Sequence, residues 1–247
     1  MSERQQVWKL MMFELKKIKP KHILNFLLFT IIAILFFSEI MFSSVFLEGE
    51  RAVNIALDAI FFGYSISVVM YLRSKSFKLQ SLKGGLYSAP FMVVLRTLPL
   101  SEKAIVKSRI SLFLLMSFLI STIHMIIIYF VSTELRVIIP LEQLLYWIII
   151  WNMVTASIGM FMTMSEPGST YTRKYLVTFN VIFYGVLIVA LTALVRFSGN
   201  GVFGWILYFS SEHTISTMFI AIALAVSTVI FVYHYMNHYM KKVDYHV

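Results

Sequence analysis

The chain reads as an all-α, polytopic membrane protein with six transmembrane helices, and three observations lead there. Of its 247 residues, 59% are hydrophobic and 13% charged, with a mean hydropathy of +0.81, whereas soluble domains are about 45–50% apolar and about 25% charged. The apolar residues fall in six blocks, 23–47, 52–72, 110–131, 141–164, 176–195 and 214–235, each near the roughly 20 residues that cross a bilayer. Counted on alternate sides of these blocks, 18 of the 21 Lys and Arg residues lie on one side and three (Arg51, Arg136, Arg196) on the other, which puts both termini in the cytoplasm of a cell membrane. The net charge of +9 therefore has its source in cytoplasmic loops and not in affinity for nucleic acid.

Residues 3–21 come first. Val7, Leu10, Met11, Leu15 and Ile18 gather on one helical face, with Lys9 and Lys16 opposite and Trp8 at the edge, as in an interfacial helix, and Pro20 ends it. The first span, 23–47, is too long for a secretory h-region and has no small-residue cleavage site after it, so it is expected to stay in place. A Glu48-Gly49-Glu50-Arg51 turn leads to the second span. Residues 73–109 then carry eight cations against one acid, Glu102, which suits an aqueous segment facing anionic lipid. Within it Phe91 to Leu95 are five consecutive apolar residues, far too few to span. Ser88 is placed to cap a short helix with Pro90 in its first turn, and Tyr87, Phe91, Leu95 and Leu98 then fall near one face, with Met92 beside them. Such a face in water needs cover, from a docked partner or from the headgroups and the chain's own spans.

Ser101 and Glu102 start the helix that becomes the third span. A short turn through Glu134, Arg136 and Pro140 follows it, and Ser165-Glu166-Pro167-Gly168-Ser169 breaks the chain between the fourth and fifth spans. Ser198-Gly199-Asn200-Gly201 turns it again, and Val202 to Phe209, too short to cross, predicts a re-entrant or interfacial helix on the far side. Small residues at i, i+4 spacing (Ala59, Gly63, Ser67 and Thr155, Gly159, Thr163) predict close helix contacts, within the chain in the first instance.

No phosphate loop, zinc-protease, nucleophile-elbow or dinucleotide motif occurs, and the absence of Cys excludes disulfides, thiolate metal sites and Cys nucleophiles. The chain is not expected to be an enzyme. His234 and His238, one turn apart among Tyr233, Tyr235 and Tyr239, read as an interfacial belt ahead of a metal site. Glu39, Asp58 and His124 lie at matching depths in the outer half of three spans. Ionisable groups there are costly and are functional candidates, expected either as one polar cluster on a substrate path or as three separately bonded residues.

The N-terminal amphipathic helix, six spans, the basic loop with Leu98-Pro99-Leu100-Ser101, Lys107 and Arg109, and the short segment before the sixth span together resemble an ABC exporter permease of the ABC-2 type. The resemblance implies a single permease domain over residues 1–247, a coupling helix at about Ser88 to Leu98 that docks on a separate cytoplasmic ATPase, and a dimer with a second permease copy or paralogue. ATP and magnesium would then be bound by the partner ATPase and no cofactor by this chain, and the implied cargo is a hydrophobic or amphipathic substrate, a peptide by preference. The alternative is an ion-coupled secondary transporter relaying protons through Glu39, Asp58 and His124, for which the chain lacks the usual internal repeats.

Overall fold

A computed structural model describes residues 1–36, 51–67, 69, 77, 80–81, 86–166 and 171–242. Among these residues the fold is all-α apart from three very short strands. Among the described residues, four helices are long and apolar enough to cross a membrane: Glu102–Val131, Leu141–Met164, Arg173–Ser198 and Thr214–Lys241. The first and second predicted spans appear as 17-residue helices, α2 (Pro20–Phe36) and α3 (Arg51–Ser67). Of the remainder of those two spans, Val69, which is buried, is described, and the rest lies outside the described residues.

Helix α1 (Glu3–Lys16) is closed by a capping box in which Gln5 N–H donates to Ser2 Oγ and Ser2 N–H to Gln5 Oε1, at 3.4 and 3.1 Å, satisfying two donors a helix start leaves open. Its apolar face does not meet lipid alone. Leu10, Met11 and Glu14 are buried where α1 packs on α5 (Glu102–Val131), so the stripe expected to lie in the membrane surface is covered by the chain itself, while Trp8 stays exposed.

The short helix expected around residues 88–98 is α4 (Pro90–Thr97). Its N-cap is Ala89, with no side-chain cap and Pro90 in the first turn. The expected Ser88 cap is thus replaced: Ser88 ends strand β2 (Leu86–Ser88), and extended pairing holds its backbone one residue short of the cap. Strand β2 pairs antiparallel with β1 (Gln80–Ser81) and β3 (Tyr171–Thr172), matching Tyr87 with Ser81 and Tyr171. This sheet ties the 73–109 loop to the loop before the fifth predicted span, so both lie at one end of the bundle.

Ser101 Oγ accepts from Ala104 N–H at 3.1 Å and starts α5, which runs 30 residues without a break. The turn after it contains a short helix, α6 (Thr133–Ile138). Helix α7 (Leu144–Met160) is the centre of the fold, packing against α3, α5 and the last helix, α10 (Thr214–Lys242). Trp151, Phe61 of α3 and Phe203 form one three-ring cluster, with the Trp151 ring centroid 5.3 and 5.9 Å from the other two. The close approach expected at Gly159 is real, since a Cβ there would stand 2.5 Å from the backbone oxygen of Ser65, and Thr155 and Thr163 are buried beside it. The companion stripe behaves differently: Ala59 and Gly63 face outward, and nothing comes within 4 Å of a Cβ added at Gly63.

Helix α8 (Arg173–Ser198) is peripheral. Only 6% of its most apolar stretch is buried, against 50% for α5, and Tyr171, Tyr175, Phe179 and Phe183 form a ladder of stacked rings along it. Gly199, at φ 80°, ends it in the left-handed conformation that favours glycine. Helix α9 (Val202–Glu212) follows, extending the expected short segment by a turn, and packs on α3 and α10 at the end of the bundle away from α4 and the sheet.

Candidate functional site

Two groups of residues meet the chemical tests for function: the junction around α4, outside the predicted spans, and the buried polar groups within the bundle.

Helix α4 has two unlike faces. Met92 and Leu95 are 1% exposed, packed into the chain's own core, whereas Val94 and Leu98 are 49% and 46% exposed. The single face expected from Tyr87, Phe91, Leu95 and Leu98 is therefore divided: Leu95 points inward, Leu98 outward, Tyr87 is half-buried in β2, and Phe91 lies between other aromatic rings. Phe91 stacks on Phe13 of α1 at 5.1 Å and meets Phe77 at 4.5 Å. The Arg109 guanidinium lies 5.0 Å from the centre of the Phe77 ring and donates from Nη1 to Glu14 of α1. Both members of this ion pair are 2% exposed as whole residues.

A second pair, Lys107 to Glu3 at 2.6 Å, and a hydrogen bond from Ser101 N–H to Gln6 at 3.1 Å extend the α1–α5 seam into water. A ring stack, a cation over a ring and an ion pair thus join α4, α1 and α5 into one body.

Sequence reading missed Glu14 and the role of Arg109. The available signal was an acid placed among Leu10, Met11 and Ile18 on the apolar stripe, a position that leaves water only with a partner.

Inside the bundle, Asp58 and His124 are 0% and 1% exposed and have separate partners. Asp58 accepts from the backbone N–H groups of Val202 and Phe203, at 2.7 and 2.8 Å. His124 Nδ1 bonds with the Tyr64 hydroxyl at 2.6 Å, and Nε2 with Thr30 Oγ1 at 2.8 Å. A neutral imidazole has one donor and one acceptor, and two hydroxyls satisfy either tautomer. One turn away, Ser121 and Thr155 are in contact at 3.4 Å, and Asn152 donates to Thr122 at 2.9 Å. The result is a polar layer linking α2, α3, α5 and α7. Along α3, Asp58 and Tyr64 stand six residues apart, about 9 Å of helix, so the acid and the histidine occupy different levels. Glu39 lies outside the described residues.

Among the described residues no group of three or more His, Asp or Glu side chains is arranged to hold a metal. His234 and His238 sit instead against Tyr233 and Tyr239. Compared with protein-family models, with curated proteins and with solved structures, the chain has no match.

Proposed function

We propose that the chain is the membrane permease of an ATP-driven ABC exporter, working as a dimer with a separate cytoplasmic ATPase and moving a hydrophobic or amphipathic cargo, a peptide by preference. The observation that carries this reading is α4. A short helix outside the spans offers Val94 and Leu98 to a partner while Met92 and Leu95 root it in the core, and Phe91 connects it through α1 to the 30-residue α5. Val94 and Leu98 stand one turn apart and form a small apolar ridge of the kind that a partner's groove receives. Support for a second permease copy comes from α8, whose apolar surface is nearly all uncovered by this chain, and from the open Ala59–Gly63 face of α3, where close helix contact meets no obstacle.

The ion-coupled alternative relays protons through Glu39, Asp58 and His124, of which Glu39 lies outside the described residues. Two backbone amides and two hydroxyls already engage Asp58 and His124 at different levels, which favours the ATP-driven reading.

The test is co-purification from the native membrane. Val94→Asp and Leu98→Asp should each weaken retention of a P-loop ATPase by about tenfold or more, since burying one such side chain contributes about 1.5–3 kcal/mol, and should leave the permease folded. Retention of the ATPase at wild-type level in the double variant would sink the proposal.

A further inference from the structure

Asn54, Asp58 and Phe61 recur at i, i+4 and i+7 on α3, and all three grip the segment where α8 turns into α9. Asn54 Nδ2 reaches the Gly199 carbonyl at 3.5 Å. Asp58 takes both amides that begin α9, and Phe61 meets Phe203 with ring centroids 5.5 Å apart. At Gly201 the carboxylate fills the space a side chain would need, because a Cβ there would lie 2.6 Å from Asp58 Oδ2. Beyond this point α9 is seated by one face only: Phe203, Leu207 and Ser210 are buried, while Tyr208 and Phe209 are 49% and 42% exposed. The chain passes into α10 at His213, whose backbone is not helical, and the Thr214 and Thr217 hydroxyls donate across this joint to the carbonyls of Ser210 and Phe209 at 2.7 and 2.8 Å. The joint thus keeps the C-terminal end of α9 on α10 while its first turn depends on Asp58.

The first amides of a helix have no partner inside it, and a carboxylate there is favoured by the helix dipole. A carboxylate at 0% exposure within a bundle is costly without such partners. The two needs are met together, since α9 lifts only when water, a cation or a proton reaches Asp58 in place of the amides. We infer that Asp58 is a latch holding α9 as a hinged cover over the end of the bundle away from α4, and that hydration of this carboxylate and lifting of α9 are one event. The latch is a property of the helix and holds whatever the chain transports.

The test reads α9 two turns beyond the latch, so that loss of the cap alone does not register. The natural chain has no Cys, and Ser210→Cys places one small thiol on the seated face. In lipid nanodiscs, where both membrane faces are open to reagent, maleimide should label this thiol slowly. It should label it at least tenfold faster when Asp58→Asn is added, and likewise with Gly201→Ala, which displaces the carboxylate without removing it. A control thiol at Ser117, 0% exposed within the bundle, should stay protected throughout. Unchanged labelling of Ser210→Cys in either background overturns the latch. So does equal acceleration at Ser117→Cys, because Asp58 would then support the whole bundle and not α9. Should Asp58→Asn fail to fold, the Gly201→Ala comparison decides alone.

Discussion

The Glu14–Arg109 pair shows how one residue pair sets the behaviour of the junction beneath α4. Both members are 2% exposed, so removing one leaves the other charge with its desolvation uncompensated, at a cost of about 3–5 kcal/mol, whereas replacing both with apolar groups of similar size is often nearly neutral. Glu14→Leu and Arg109→Met should each lower the melting temperature in nanodiscs, and the double variant should melt near wild type. Additive losses in this cycle would mean that the pair does not hold α1 to α5. Individual residues were legible where a single side chain broke a pattern. Asp58 and His124 stand out as polar groups in apolar blocks, and both prove buried and bonded. Their partners were not legible. Asp58 is held by the backbone of residues 144 and 145 positions away, and backbone amides leave no mark in a side-chain pattern, while Tyr64 and Thr30 read as ordinary members of a span.

At the scale of elements, the helix boundaries follow from signals that act locally. Ser101 caps α5 and Gly199 ends α8, each at the predicted place. The faces of helices are a different matter, because periodicity shows that a face is apolar and does not show what covers it. The stripe on α1 suits lipid and α5 equally, and in the structure α5 has it; on α4, Met92 and Leu95 go to the core and Val94 to the outside for the same reason. Small-residue stripes have the same ambiguity, and here the two can be separated. Gly159→Ala forces a Cβ to 2.5 Å from the Ser65 backbone and 2.7 Å from the Phe113 ring, and overpacking of this order typically costs about 1–3 kcal/mol. Gly63→Ala meets nothing within 4 Å and gains helix propensity. Thermal melting of the two variants in the same lipid should show a clear loss for the first and none for the second. A matching loss at Gly63 in the separated monomer would contradict the packing of α3.

For the whole molecule, the contact pattern gathers most of the cations at one end of the bundle. The sheet joins the loops on either side of Tyr87 and Tyr171, α1 docks where α5 begins, through Glu3 and Lys107, and these segments carry most of the chain's cations. The opposite end holds α9, with the turn from Ser198 to Gly201, and has few cations. From the rule that positive loops remain inside we propose α4 in the cytoplasm and α9 outside. Single cysteines at Thr97 and Tyr208 report on the two ends, since both residues are exposed and no natural thiol competes. In intact cells an impermeant maleimide should label Tyr208→Cys at once and Thr97→Cys only after the membrane is opened. Labelling of Thr97→Cys in sealed cells would invert the bundle, place the exposed ridge of α4 out of reach of any cytoplasmic ATPase, and remove the basis for coupling through Phe91, Glu14 and Arg109.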